Sequence, residues 1–195
     1  MARSTKARLR RSVSPETPVV DGDPGSDAVD QAVEQWQRER PDLDPSAMTI
    51  FGRIARVFAL SRREQARVHE PFGLTHAAFD LLANLRRSGR PHRKTASALA
   101  KSSMISTGGV TFRMDGLEDS GLIRRIRDSK DRRVVTAELT DHGMKTIDEA
   151  IERHLELFQD MLAGLSTTEQ QQLATLLTKL ESSIADHLQR QTPAE

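Results

Sequence analysis

The chain reads as mainly α-helical, with one small β-hairpin set among the helices. Three observations lead there. Apolar residues recur at three- and four-residue spacing through most of the chain, from Ala28 to Ile184. The pattern turns strand-like only over Leu122–Arg127 and Arg133–Leu139. Aromatic residues make up only 4% of the chain, with one Trp and no Tyr, so helical packing of Leu, Ile, Val and Ala must supply most of the core.

Residues 1–25 read as a disordered basic tail, rich in Arg, Ser, Pro, Gly and Asp and without apolar periodicity. A short helix is expected over 26–40, carrying Ala28, Val29, Ala32, Val33 and Trp36. Pro41-Asp42-Leu43-Asp44-Pro45 breaks it, with Asp44 as N-cap and Pro45 in the first turn of the next helix. That helix runs to about Glu70 and presents Ile50, Ile54, Val57 and Phe58 on one face. Thr75–Arg87 is a helix presenting Phe79, Leu82 and Leu85. A short helix over Thr95–Lys101 buries Leu99, and a turn at Ser102–Ser106 precedes a longer helix over Thr107–Ser120. Val110, Met114 and Leu117 face inward on the latter, and Gly121 is suited to end it in the left-handed conformation. The two strands follow, joined by a turn at Asp128-Ser129-Lys130-Asp131. Thr140-Asp141 starts a helix reaching about Ala163, and the Ser166-Thr167-Thr168-Glu169 capping box opens a last helix striped with Leu173, Leu176, Leu177, Leu180 and Ile184.

The net charge of +1 hides an asymmetry. Between Arg90 and Arg133 there are 11 Lys/Arg against 5 Asp/Glu, which leaves a balance of −5 elsewhere. A basic block in an otherwise acidic chain points to an anionic partner. The chain has no Cys, which excludes disulfides and thiol chemistry and fits a cytoplasmic protein. No window approaches the ~18 apolar residues that span a bilayer. There is no Gly-rich phosphate loop, nucleophile elbow or His-Glu-x-x-His motif, so no catalytic residue, metal ligand or cofactor is assigned and an enzyme is not expected. The six His residues are scattered along the sequence.

A short helix, a tight turn, a longer helix and then a basic hairpin make up a winged helix-turn-helix, expected over 75–140. In that arrangement the second helix enters the major groove of duplex DNA and the hairpin reaches an adjacent minor groove. Ser106, Thr107 and Gly108, with Gly109, give the second helix a small polar start that lets its N-terminus approach phosphates. Thr111 and Phe112 lie on its outward face, where Phe112 either packs on a thymine methyl or folds back onto a partner helix. At the wing, Lys130, Arg132 and Arg133 are the candidate DNA contacts. Arg132, nearer the tip, is assigned to the minor groove, while Arg133 can also pair with Asp128 or Asp131.

These residues carry a recognisable pattern. Ala98-Leu99-Ala100, Gly121-Leu122-Ile123-Arg124-Arg125, Asp128-Ser129-Lys130-Asp131-Arg132-Arg133 and Leu139-Thr140-Asp141-His142-Gly143 resemble the MarR family of transcriptional regulators. The resemblance implies a homodimer on a palindromic operator, with segments 44–72 and 141–189 forming the dimerisation layer. A narrower similarity joins Trp36, Phe79-Asp80, Leu85-Arg86-Arg87-Ser88-Gly89 and the run Thr107–Asp115 to the urate-responsive subgroup of that family. It implies a repressor released by a small anionic effector, urate or a small carboxylate. Trp36 and Arg113 would contact the ligand, and Asp80 and Arg125 would relay its arrival to the reading helix. The competing expectation is a constitutive or architectural DNA-binding regulator with no small-molecule input.

Overall fold

A computed structural model describes residues 28–103, 107–127 and 134–191, without the side chains of Ser103 and Thr107. Seven helices and three short strands follow one another along the described chain. The chain divides into two compact units, residues 1–56 and 57–195. The expectation for the tail, 1–25, lies outside the described residues.

The first unit holds α1 (Ala28–Glu39) and the start of α2 (Met48–His69). Val29 and Val33 are buried. The helices are joined by Arg53 Nη2 donating to Asp30 Oδ2 at 2.9 Å. Gly52 permits the approach, because a Cβ there would lie 2.9 Å from Val29 Cγ1. The Asp44 side chain accepts from the Ser46 N–H at 2.9 Å, as a capping group does. The helix itself starts later than expected, at Met48. The intervening residues form tight turns such as Met48 N–H to Pro45 O, which satisfy backbone groups before α-helical bonding begins.

The second unit contains the remainder of α2, a 3₁₀ turn (Glu70–Phe72), α3 (His76–Arg86), β1 (Arg93–Thr95), α4 (Ala96–Ser103), α5 (Thr107–Asp119), β2 (Ile123–Arg127), β3 (Val135–Leu139), α6 (Asp141–Leu162) and α7 (Thr167–Gln191). Its core is one cluster drawn mainly from α3, α4, α5, β2, β3 and α6: Phe79, Leu82 and Leu85 of α3, Leu99 of α4, Val110, Met114 and Leu117 of α5, Ile123, Ala137 and Leu139 of the sheet, and Ile147 and Ala150 of α6. These are the inward positions that helical spacing and strand alternation select. The element ends follow local chemistry. Thr75 Oγ1 accepts from the Ala78 N–H to cap α3. Gly121, at φ 67°, closes α5, and the Leu122 N–H returns to Leu117 O at 2.9 Å. Ser166 and Glu169 bond each other's backbone N–H, the reciprocal pairing of a capping box.

The sheet has three strands, not two, in the order β1-β3-β2, all antiparallel. β2 and β3 pair from Ile123↔Leu139 to Arg127↔Val135, as the hairpin expectation requires. β1 is the difference. Arg93–Thr95 has no alternating apolar pattern, yet it pairs with Glu138, Ala137 and Thr136 along the open side of β3. Thr95 therefore ends a strand rather than beginning the helix, and its Oγ1 accepts from the Ala98 N–H to cap α4.

Candidate nucleic-acid interface

The surface that could meet DNA begins with the packing of α4 and α5. Leu99, Val110, Met114 and Leu117 are buried between these helices and the rest of the unit, so α5 has a fixed inner face. Its outer face shows Gly108, Thr111 and Phe112 to solvent, with Phe112 80% exposed. Ser106 and the wing-tip residues Lys130, Arg132 and Arg133, with Asp128 and Asp131, lie outside the described residues, as does the Thr107 side chain.

Among the described residues, Arg125 makes the polar contacts that tie β2 to α5. From β2, Arg125 Nη2 donates to Thr111 O at 3.1 Å and to the Asp115 carboxylate, and its Nε lies 3.2 Å from Glu118 Oε2. The Arg125 N–H also donates to Glu118 Oε1 at 3.1 Å. Thr111, Asp115 and Glu118 stand on successive turns of one face of α5, so the guanidinium reads a whole stripe of the helix. Among the described residues, Arg125 forms no ion pair with Asp80. Asp80 lies instead within 3.1 Å of His76 Nε2, one turn earlier on its own helix. Two acids of α5, Asp115 and Glu118, occupy the Arg125 fork.

The other two residues implied for ligand binding belong to different units. Trp36 belongs to the first unit and is 48% exposed; Arg113, Asp80 and Arg125 belong to the second. Arg113 is half-buried and has no ion-pair partner among the described residues. A cleft of 610 Å³ in the second unit is lined by Arg90, His92, Arg124, Glu138, Thr140 and Asp141, among others, and by none of the four.

Two clusters escaped the sequence reading. The first is a polar brace under the helix-turn-helix. Asn84, 1% exposed in the middle of α3, accepts from Lys94 Nζ at 2.7 Å and donates to Ser102 Oγ at 2.6 Å. It thereby ties α3 to β1 and to the end of α4, just before the turn into α5. Lys94 was visible only as part of an unusually basic run. The second gathers three of the supposedly scattered histidines. His69 Nε2 and His154 Nδ1 share a hydrogen bond at 3.1 Å, with the Phe79 ring stacked 4.0 Å from His69 and His76 6.0 Å away. Burial pushes His69 down to about 4, with His154 adding to the effect, and burial also lowers His154.

Comparison with known proteins agrees with this architecture. Residues 74–135, which hold α3 to β2, match the profile of the MarR family. The chain is 36% identical over 159 residues to the HTH-type transcriptional regulator PecS of Dickeya dadantii (strain 3937), covering 82% of this chain and 96% of PecS. The fold is similar to that of AbsC, a MarR family transcriptional regulator from Streptomyces coelicolor, with a TM-score of 0.66 at 27% identity, covering 76% of this chain and 98% of that one. It is also similar to MepR of S. aureus, solved as a DNA complex, with a TM-score of 0.62 at 25% identity, covering 67% and 94% of the two chains. No described helix is long and apolar enough to cross a membrane. The chain belongs to the MarR family of winged helix-turn-helix, DNA-binding transcriptional regulators, which are not enzymes.

Proposed function

We propose that this regulator is a homodimeric repressor that grips a palindromic operator and is released by a small anionic effector such as urate or a small carboxylate. The observation that carries the dimer is the uncovered apolar stripe of α7. Leu173, Leu176, Leu177, Ile184 and Leu188 are exposed, and no residue of that helix is buried. Apolar positions repeated along 25 residues call for a partner surface. A second copy supplies one and doubles the reading helix, which a palindrome matches.

On this reading Ser106, Thr107, Gly108, Thr111 and Phe112 face the major groove, and Lys130, Arg132 and Arg133 engage DNA from the wing. Trp36 stacks on the planar effector while Arg113, which lacks an acidic partner among the described residues, pairs with its charge. Asp80 and Arg125 pass the event on, Arg125 by loosening its hold on α5. One observation favours the second reading, a constitutive regulator. Arg125 is already held by Asp115 and Glu118, with no link to Asp80 among the described residues.

Fluorescence anisotropy with a selected operator, with and without urate or citrate, separates the two. Release by either compound, with saturable quenching of Trp36 that Arg113→Ala removes, is the expected result. Operator binding untouched by both compounds favours the constitutive regulator. Quenching that survives in Arg113→Ala counts against the pocket.

A further inference from the structure

The reading helix contains three glycines in 13 residues, Gly108, Gly109 and Gly116. Glycine is the poorest helix former after proline, so its place inside a helix calls for a reason. For two other glycines of this unit the reasons are visible. Gly121 takes φ 67° to end α5, and a Cβ on Gly143 would lie 1.9 Å from Leu122 O. Neither reason applies to Gly108 or Gly116. Both have ordinary helical backbone, and a Cβ added to either meets nothing within 4 Å. Nothing among the described residues requires their bareness.

Their positions are informative. Gly108 and Gly116 lie four residues before and four residues after Phe112, on the same helix face. Phe112 therefore projects from bare backbone on both sides along the helix. Among the described residues it is the most exposed large apolar side chain, at 80%. The other strongly exposed apolar residues lie mainly on α2, α6 and α7, so Phe112 does not continue the stripe assigned to the second copy. The surrounding segment, Arg90–Arg133, carries the chain's excess of positive charge.

A lone apolar knob on a bare ridge in a basic segment fits one surface well. The major groove of B-DNA admits an α-helix, is lined by phosphates, and presents one apolar group, the 5-methyl of thymine. We propose that Phe112 is a specificity-determining residue that packs on a thymine 5-methyl, and that Gly108 and Gly116 let the groove close onto the helix backbone on either side of it. This rests on α5 being the reading helix and adds what that helix reads.

The test uses the full chain and an operator selected from random duplexes. Each thymine is replaced in turn by deoxyuridine, which lacks only the methyl group. Wild type should lose about three- to tenfold in affinity at one thymine per half-site, the effect of uncovering one apolar carbon. Phe112→Ala should bind the dT and dU duplexes alike while staying dimeric by light scattering. Gly116→Ala and Gly108→Ala should melt at the same or a higher temperature, yet bind the operator at least about tenfold more weakly. Those alanine variants keep the test sharp if Phe112→Ala folds poorly. Dependence on thymine that survives in Phe112→Ala overturns the inference, as does wild-type affinity in Gly116→Ala. A loss of dimer in Phe112→Ala makes the residue a chain–chain contact and overturns it too. Absence of any duplex binding by wild type at low salt would instead overturn the assignment of α5 as the reading helix.

Discussion

Asn84 shows how much a single buried amide can hold. Its carbonyl and its amino group each have a partner on a different element, Lys94 on β1 and Ser102 on α4. Leucine keeps the branched outline but is bulkier and leaves an ammonium without its acceptor, and that loss outweighs any gain in apolar burial. Asn84→Leu should cost about 1–3 kcal/mol, read as a lower urea midpoint at an unchanged slope. A midpoint equal to that of wild type would show that Lys94 and Ser102 find water instead. Sequence alone could not disclose this brace. A polar residue within an apolar run such as Phe79–Leu85 gives no sign of whether it faces solvent or a partner ten or eighteen positions away. Val110, Met114 and Leu117 were legible because burial of a helix face follows directly from spacing. The Arg125 contacts were legible only in part. Resemblance marked the residue, but Asp115 and Glu118 are surface acids until β2 is laid against α5.

At the scale of elements, the junction of α2, α3 and α6 is the most sensitive to solution conditions. His69 is fully buried, against His154 from α6, with His76 and Asp80 on α3 and Arg62 on α2 as the other charged or titratable groups around it. Its folded-state value of about 4 lies below the ordinary 6.5, so between those values the unfolded chain takes up the proton first. Stability is therefore complete above pH 6.5 and declines as pH falls toward 4, by about 2 kcal/mol at pH 5. Urea denaturation at pH 7.5 and pH 5 checks this, and His69→Phe should flatten the difference. An equal slope in that variant would move the effect to other groups. The helices themselves were readable because caps and breakers mark their ends, as at Thr140, Ser166 and Gly121. β1 was not. Three residues form a strand there because β3 offers an unpaired edge, a condition set by tertiary structure and not by Arg93-Lys94-Thr95.

For the whole molecule, family membership and the winged fold make the chain a DNA-binding regulator, and the uncovered α7 stripe supports the proposed pairing of two copies. Charge distribution points to an anionic partner, because the net +1 combines a basic centre, Arg90–Arg133, with an acidic stretch after it, residues 134–195. The sensing function was less accessible. Its four expected residues fall in two separate units, and a ligand pocket depends on how distant segments come together. The claim on which the rest depends is that the outer face of α5 meets the duplex. Thr111 is exposed on that face, so Thr111→Glu sets a carboxylate against phosphates without touching the core. Operator affinity of this variant, measured by anisotropy beside its melting temperature, is the most direct test. The account predicts an unchanged melting temperature and a loss of about 100-fold or more in affinity. Binding within a factor of about two of wild type at the same salt would contradict it.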